Sequence, residues 1–405
     1  MTIGIVLGTG PVLVIVIWGY VWYRVEQSRR SVPTLRAGLK LAAADPPAGR
    51  VCVVVPAYNE AAMIGGLIAS LRKESYSQLK VVLALDRCTD GTEDVARKAI
   101  GDDDRFEVVV IDHCPDDWAG KVHAVHCGVT RSRAAADADF LLFADADTTF
   151  SPGCIAASLA LMRARDLDLL SLLSTLSYDT WFENVVQLAA SFELMRQYPL
   201  TEANARVGRR AFANGQFMLF RKGAYDAIGG HAAVRKALLE DLAFARKIAD
   251  ANRLGGVFLA AGLFHCRMYP TWEAFRRGWK RIFTEAANRK QRRLIATARR
   301  TRWLGTILPA WMIVACAATP AIVAFDAVTG SGGRLTALCV LAVLTWGGAL
   351  TQVASLSGAP IWTVPLHMVG AWMTAQLLDE AAADLRNSKP TQWGGRDYDV
   401  SAETS

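Results

Sequence analysis

The sequence predicts an α/β domain built on a doubly wound, mostly parallel sheet, with apolar helices toward both ends of the chain. Three observations carry that expectation. Residues 51–175 alternate short β-branched or aromatic runs with helix-like stretches. Regions near both ends are long, apolar and almost free of charge. The 405 residues have a mean hydropathy of +0.21 and only 20% charged residues, where a soluble globular chain carries about 25%. The 52% hydrophobic content excludes general disorder. The 32 Gly and 14 Pro show no repeat period, and 8 Cys without a C-x-x-C pair imply neither a disulfide scaffold nor a thiol metal cage.

The first element is apolar. Ile3 to Trp22 holds no charged residue, and about 20 helical residues span the roughly 30 Å hydrocarbon core. No base precedes this run, whereas Arg24, Arg29 and Arg30 follow it. The positive-inside bias then places the following polypeptide in the cytoplasm. Residues 1–24 are expected to be an uncleaved anchor, since a secretory signal begins with bases.

The runs at 51–56, 79–85, 106–111 and 139–144 read as buried strands, and 60–73, 92–100, 121–134 and 152–165 as helices between them. That alternation predicts parallel strands covered on both faces. Ligands of such sheets bind at the carboxyl ends of strands, so the residues just after each run are the informative ones. Pro56, Tyr58, Asn59 and Glu60 follow the first strand, with Tyr58 offering a ring face to a base. Asp86 and Asp90 follow the second; a carboxylate there can accept from a base N–H or a ribose hydroxyl. Past the third strand, Lys121 opens a helix whose free N–H groups suit phosphate. The fourth strand ends in Asp145-Ala146-Asp147, and the two carboxylates share a face if the strand continues. Like charges that close repel unless a cation lies between them, and Mg²⁺ or Mn²⁺ held by one or two carboxylates plus phosphates removes the conflict. Taken singly, Asn59, Asp90 and Asp147 are also ordinary helix caps. Four such signals at four successive strand ends argue against coincidence.

VVVPAYNE, LDRCTDGT, GK-x-HAVHCG and FADADTTFSP, in that order, resemble the family 2 glycosyltransferases and their GT-A nucleotide-sugar domain. The resemblance continues through Asn214-Gly215-Gln216-Phe217, Gly229-Gly230-His231 and Leu239-Glu240-Asp241-Leu242, covering about residues 50–285. It implies that Pro56, Tyr58, Glu60, Asp86 and Asp90 hold the nucleotide, that Lys121 and Asp145 meet the nucleoside and diphosphate, and that Asp147 meets the metal. Inverting sugar transfer needs a base for the acceptor proton. The resemblance assigns it to Asp241, beside Glu240; a plain acidic helix start is the other reading of that pair. His231 is a candidate contact for acceptor or leaving group, or equally a turn residue. Within the family, residues 214–217, 229–231 and the late Trp393-Gly394-Gly395-Arg396 resemble those of bacterial membrane transferases of the carotenoid-glycosylating and hopanoid-associated kinds.

Past the 50–270 catalytic domain, residues 271–302 are expected to form a basic amphipathic region at the membrane interface. Trp272, Phe275, Trp279 and Phe283 recur at helical steps, opposed by Arg276 and Arg277; an ordinary core-packed helix is the other reading of that stripe. Residues 276–302 carry a net excess of ten positive charges against +7 for the whole chain. Because the run leads directly into an apolar stretch, membrane-surface contact is favoured over nucleic acid. The family's Gln/Arg-x-x-Arg-Trp motif is missing from 275–280; Arg299-Arg300-Thr301-Arg302-Trp303 matches its letters but lies farther on. Residues 303–326 and 335–356 are each long enough to cross, 360–378 reads as a fourth span or an interfacial helix, and 379–405 as a tail.

The expected protein is thus a multi-pass inner-membrane transferase with a cytoplasmic catalytic domain. It would move a sugar from a nucleotide-diphospho-sugar, a UDP-sugar, to a lipid hydroxyl or carboxyl. A catalytically inactive nucleotide-sugar-binding module and a polysaccharide synthase subunit are the alternatives. The spans are few for an extrusion channel, and Asp147 and Asp241 are both present.

Overall fold

Helix α1 (Thr2–Ser31) opens the chain, accommodates Pro11 within it, and runs past residue 24 to stop just before Pro33. Its last turns are laced by Glu26 to Arg29 at 2.7 Å and to Arg30 at 2.6 Å. The computed structural model describes residues 2–205, 210–326, 332–393 and 396–398. Residues 327–331 of the expected loop between apolar stretches, and Gly394 and Gly395, lie outside the described residues.

After α2 (Leu35–Ala44) the chain alternates strand and helix: β1 (Val51–Ala57), α3 (Ile64–Arg72), β2 (Leu79–Asp86), α4 (Thr92–Ile100), β3 (Phe106–Ile111), α5 (Gly120–Arg131), α6 (Arg133–Ala136) and β4 (Phe140–Ala144). β1, β2, β3 and β4 pair in parallel. The second half adds β5 (Thr148–Phe150), α7 (Cys154–Arg165), β6 (Leu169–Leu173), β7 (Thr175–Leu176), α8 (Leu188–Gln197), α9 (Leu200–Ala203), β8 (Phe217–Arg221), α10 (Lys222–Ala227), α11 (Glu240–Asp250), β9 (Gly255–Leu259) and β10 (Phe264–Cys266). The main sheet has the order β3-β2-β1-β4-β8-β6-β9, and only β8 runs against its neighbours. β5, β10 and β7 form a smaller sheet beside it.

Both faces of the main sheet are covered, which explains runs such as VCVVV that are apolar throughout. Cys52 and Val54 of β1 pack toward Val122 and Val125 of α5. Val51, Val53 and Val55 pack toward α3 and α7. The chain steps outward from β1 to β3, then returns to β4 on the other side of β1. That reversal opens a crevice at the carboxyl ends of β1 and β4.

The C-terminal third comprises α12 (Trp272–Ala286), α13 (Gln291–Arg302), α14 (Leu308–Asp326), α15 (Gly332–Ser357) and α16 (His367–Arg386). α1, α14 and α15 share a small core of Val14, Trp18, Met312, Ala349 and Val353. Their outward faces present Val16, Tyr20, Val314 and Leu344, each more than half exposed. Among the described residues, Gln291–Ala318 and Leu335–Ser357 are long and apolar enough to cross a membrane, by length and composition.

The structure differs from expectation at the α12 stripe. The stripe on α12 does not face outward: Phe275, Trp279 and Phe283 are buried, and Trp272 stacks on Phe275 with 5.6 Å between ring centroids. Protein covers those three rings, while Trp272 and Ile282 stay partly exposed. The segment at 360–378 belongs largely to α16, which runs on to Arg386, packs against α12 and α13, and buries Leu377, Leu378 and Leu385. Its acids meet the basic run: Asp379 pairs with Arg302 at 2.7 Å, Glu380 with Arg276 at 2.8 Å and Asp384 with Lys280 at 2.5 Å. Much of the positive excess is therefore spent inside the protein, while Arg277 stays exposed.

Candidate active site

A cavity of about 370 Å³ lies where the crevice was expected. Its wall takes Pro56, Tyr58 and Glu60 from the end of β1, Asp86 from β2, Lys121 from the start of α5, and Asp145, Ala146 and Asp147 from the end of β4. Gly215 and Gln216 before β8, and Glu240 and Asp241 opening α11, close the other side. Residues far apart in sequence meet here because the sheet brings its carboxyl ends together.

Asp86 is buried and held by Arg87 through two bonds, Nε to Oδ1 at 2.9 Å and Nη2 to Oδ2 at 2.7 Å. The Arg87 guanidinium also lies over the Tyr58 ring, 5.4 Å from its centroid. Asp90 stays outside the cavity wall: its carboxylate accepts from the N–H of Ala61 at 3.0 Å and of Thr92 at 3.1 Å, tying the two loops together. Asn59, at a positive φ of 56°, likewise accepts from the Thr89 N–H at 2.8 Å and caps no helix.

Strand β4 stops at Ala144, so Asp145 and Asp147 do not alternate along a strand. A turn closed by Thr148 Oγ1 donating to the Asp145 carbonyl at 2.7 Å delivers both to the cavity instead. Lys121 Nζ bridges Asp145 at 2.7 Å and Glu240 at 2.6 Å. Burial works against its charge, but the two carboxylates outweigh burial and hold its pKa up. Asp241 accepts from Gly215 N–H at 2.8 Å and Leu242 N–H at 2.7 Å. Burial, with Glu240 adding to it, pushes the Asp241 carboxyl up to about 6. Glu60 is pushed up to about 7 by burial and by Asp145 and Asp90.

Asp147 is the least compensated acid. Burial, Asp145 and Glu60 all raise its pKa, and its buried Oδ1 has no hydrogen-bond partner among the described residues. An orphaned carboxylate oxygen among further acids fits a divalent cation. No group of three or more His, Cys, Asp or Glu among the described residues forms a complete cage. The donor set suits an ion that keeps water or phosphate ligands.

His231 is not brought to the cavity. It is fully buried, its Nδ1 shares a 2.8 Å hydrogen bond with the Tyr225 hydroxyl, and its ring meets Phe143 and Phe244 edge-on. Trp272, Arg276 and Arg277 are also absent from the wall, and Trp279 lines a second cavity instead. The Arg299–Trp303 letters lie elsewhere, with Trp303 half exposed. Sequence reasoning missed Arg87, Met268, Tyr269, Arg281 and Ile282. Arg281 stands one residue beyond the segment singled out at 275–280, and only the burial of Phe275, Trp279 and Phe283 decides that its flank of α12 turns inward.

A family model described as "Glycosyltransferase like family 2" matches residues 46–303. No curated protein matches the chain. Among solved structures, a mannosyltransferase from Pyrobaculum calidifontis in complex with GDP-Man and Mn²⁺ is 15% identical, with a TM-score of 0.47 over 92% of this chain and 99% of that one. TarS of S. aureus in complex with UDP-GlcNAc is 14% identical, with a TM-score of 0.41 over 86% of this chain and 95% of that one. Glucosyl-3-phosphoglycerate synthase from Mycobacterium tuberculosis, with Mn²⁺, UDP and phosphoglyceric acid, is 17% identical, with a TM-score of 0.38 over 62% of this chain and 81% of that one.

Proposed function

Because this chain belongs to the glycosyltransferases of the family 2-like group, we propose that it is a membrane-bound inverting hexosyltransferase. In this reading it moves a sugar from a nucleotide-diphospho-sugar, a UDP-sugar, to a hydroxyl or carboxyl of a lipid in the cytoplasmic leaflet. The observation that carries the proposal is the convergence of Asp86, Asp145, Asp147 and Asp241 on one cavity at the sheet's carboxyl edge.

Tyr58, Pro56 and Asp86 take the nucleoside, with Arg87 fixing both Asp86 and the Tyr58 ring. Glu60 stands beside them, and Asp90 acts through the loop it ties to Ala61. Lys121 and Arg281 supply positive charge for the diphosphate. Asp147, with Asp145 near it, would hold Mg²⁺ or Mn²⁺, which when bound stabilises charge on the departing diphosphate. Asp241 takes the acceptor proton as the acceptor oxygen attacks the anomeric carbon. Its two backbone N–H bonds fix the carboxylate's direction.

Outward apolar faces on α1, α14 and α15 support a membrane setting. Arg24, Arg29 and Arg30 follow the apolar part of α1, and Arg299, Arg300 and Arg302 precede α14, which supports a cytoplasmic catalytic domain at 50–270. Purified full-length protein in detergent, given Mn²⁺, UDP-sugars and a total lipid extract, tests the proposal by mass spectrometry. Hexosylated lipid that disappears with chelator is the expected result. Donor binding without turnover on any lipid would favour an inactive binding module instead.

A further inference from the structure

A second cavity, of about 440 Å³, adjoins the first and shares Asn214, Gln216, Met268 and Ile282 with it. Its volume lies in the roughly 300–1,000 Å³ range of small-molecule sites. Leu176, Leu194, Met195, Trp279 and Leu356 make most of its inner wall apolar. The far end is formed by Arg29 and Val32 at the close of α1 and by Ser355 to Gly358 at the close of α15. One end of the cavity thus touches the transfer site, and the other reaches the helix ends from which outward apolar faces extend.

We propose that this second cavity seats the acceptor: an amphiphile with one terminal hydroxyl or carboxyl and a hydrocarbon body, entering between the ends of α1 and α15. The assignment rests on the transferase reading above and adds the place and chemical class of its second substrate. The polar end is positioned at Gln216. Ser174 Oγ and Asn214 Nδ2 both donate to Gln216 Oε1, the latter at 3.2 Å. The carboxamide NH₂ is then the edge that meets an acceptor oxygen. Gln216 directly follows Gly215, whose N–H holds the Asp241 carboxylate, so an oxygen at Gln216 lies beside the base. A free sugar or other polar acceptor would leave its hydroxyls unpaired against Leu194, Met195 and Leu356, which disfavours it.

Photolabelling of the detergent-purified full-length protein with a long-chain alcohol carrying a diazirine on its tail tests this. The expected result is label on peptides containing Leu173–Leu176 and Leu194–Met195, competed by unlabelled long-chain alcohol and not by glucose. Ser191 also lines this cavity, and Ser191→Trp, which fills it, should cut that competable label by about tenfold or more. Label confined to the outward faces of α14 and α15, or equally strong in folded Ser191→Trp, would overturn the proposal. Thermal stabilisation by Mn²⁺ with UDP is measured on the same wild-type sample. If it is present while cavity label is absent, the acceptor assignment alone fails; if it is absent, the transferase reading fails first.

Discussion

The backbone N–H of Gly215 donates to Asp241 Oδ2 at 2.8 Å, joining the strand-entry loop of β8 to the first turn of α11. The approach is close enough that a Cβ on Gly215 would stand 3.2 Å from Glu240 Oε1, 3.3 Å from Asp241 Oδ2 and 3.3 Å from Lys121 Nζ. Gly215→Ala must therefore push the base aside. The neighbours must give by a few tenths of an ångström; since a misplacement near 1 Å costs on the order of 100-fold in rate, steady-state kinetics should show a smaller fall in kcat, still larger than any change in donor affinity. An unchanged kcat would mean that this contact does not position the base.

Asp241→Asn keeps the shape of the side chain and removes its basicity. Loss of a positioned general base costs roughly 10²–10⁴-fold. Product formation should fall by that much, while donor affinity in an equilibrium titration should stay near wild type. Retained turnover would place the base elsewhere.

The pH profile follows from the same carboxyl. Burial and Glu240 set its pKa at about 6, and only the ionised form accepts a proton. kcat/KM should rise with pH through about 6 and level off above it, and any residual rate of Asp241→Asn should lack that limb. A flat wild-type profile between pH 5 and 7 would contradict the assignment.

Asp147→Asn should abolish stabilisation by Mn²⁺. An ion that binds only the folded protein, at 100 times its dissociation constant, stabilises by about 2.7 kcal/mol. Thermal unfolding should show a Tm increase for wild type that chelator reverses and the variant lacks. The buried, unpartnered Oδ1 of Asp147 motivates the choice.

Lys121→Met leaves Asp145 and Glu240 without the cation they share at 2.7 and 2.6 Å. Breaking a buried ion pair by removing one member costs roughly 3–5 kcal/mol. The variant should unfold at lower temperature and bind the nucleotide-sugar more weakly, by calorimetry or fluorescence titration. Wild-type stability with weakened binding would assign Lys121 to the donor alone.

Much of the catalytic half was legible in advance because local rules govern it. Strands expected at 51–56, 79–85, 106–111 and 139–144 form at 51–57, 79–86, 106–111 and 140–144. Runs buried on both faces have to be apolar, and the turns between them carry Gly, Asp and Asn. Asp86, Lys121 and Asp145 were singled out by their place after such runs, and Asp241 through the family resemblance. The C-terminal third was harder to read. An amphipathic stripe has the same period whether lipid or protein covers it, and in α12 the cover is protein. His231 illustrates the limit at one residue: two glycines before a histidine look like an exposed turn, yet Phe143, Tyr225 and Phe244 enclose it.

From its sequence alone, this protein's strand and helix order, its sheet direction and the acids at its strand ends were determined, because each depends on neighbours a few positions away. Tertiary structure alone decided which of eleven bases in 276–302 turns into the cavity, that α16 answers Arg276, Lys280 and Arg302 with Glu380, Asp384 and Asp379, and that a second cavity joins the first at Gln216. Those outcomes depend on which surfaces meet after the chain has collapsed. Contacts between residues a hundred positions apart leave no periodic trace along the chain.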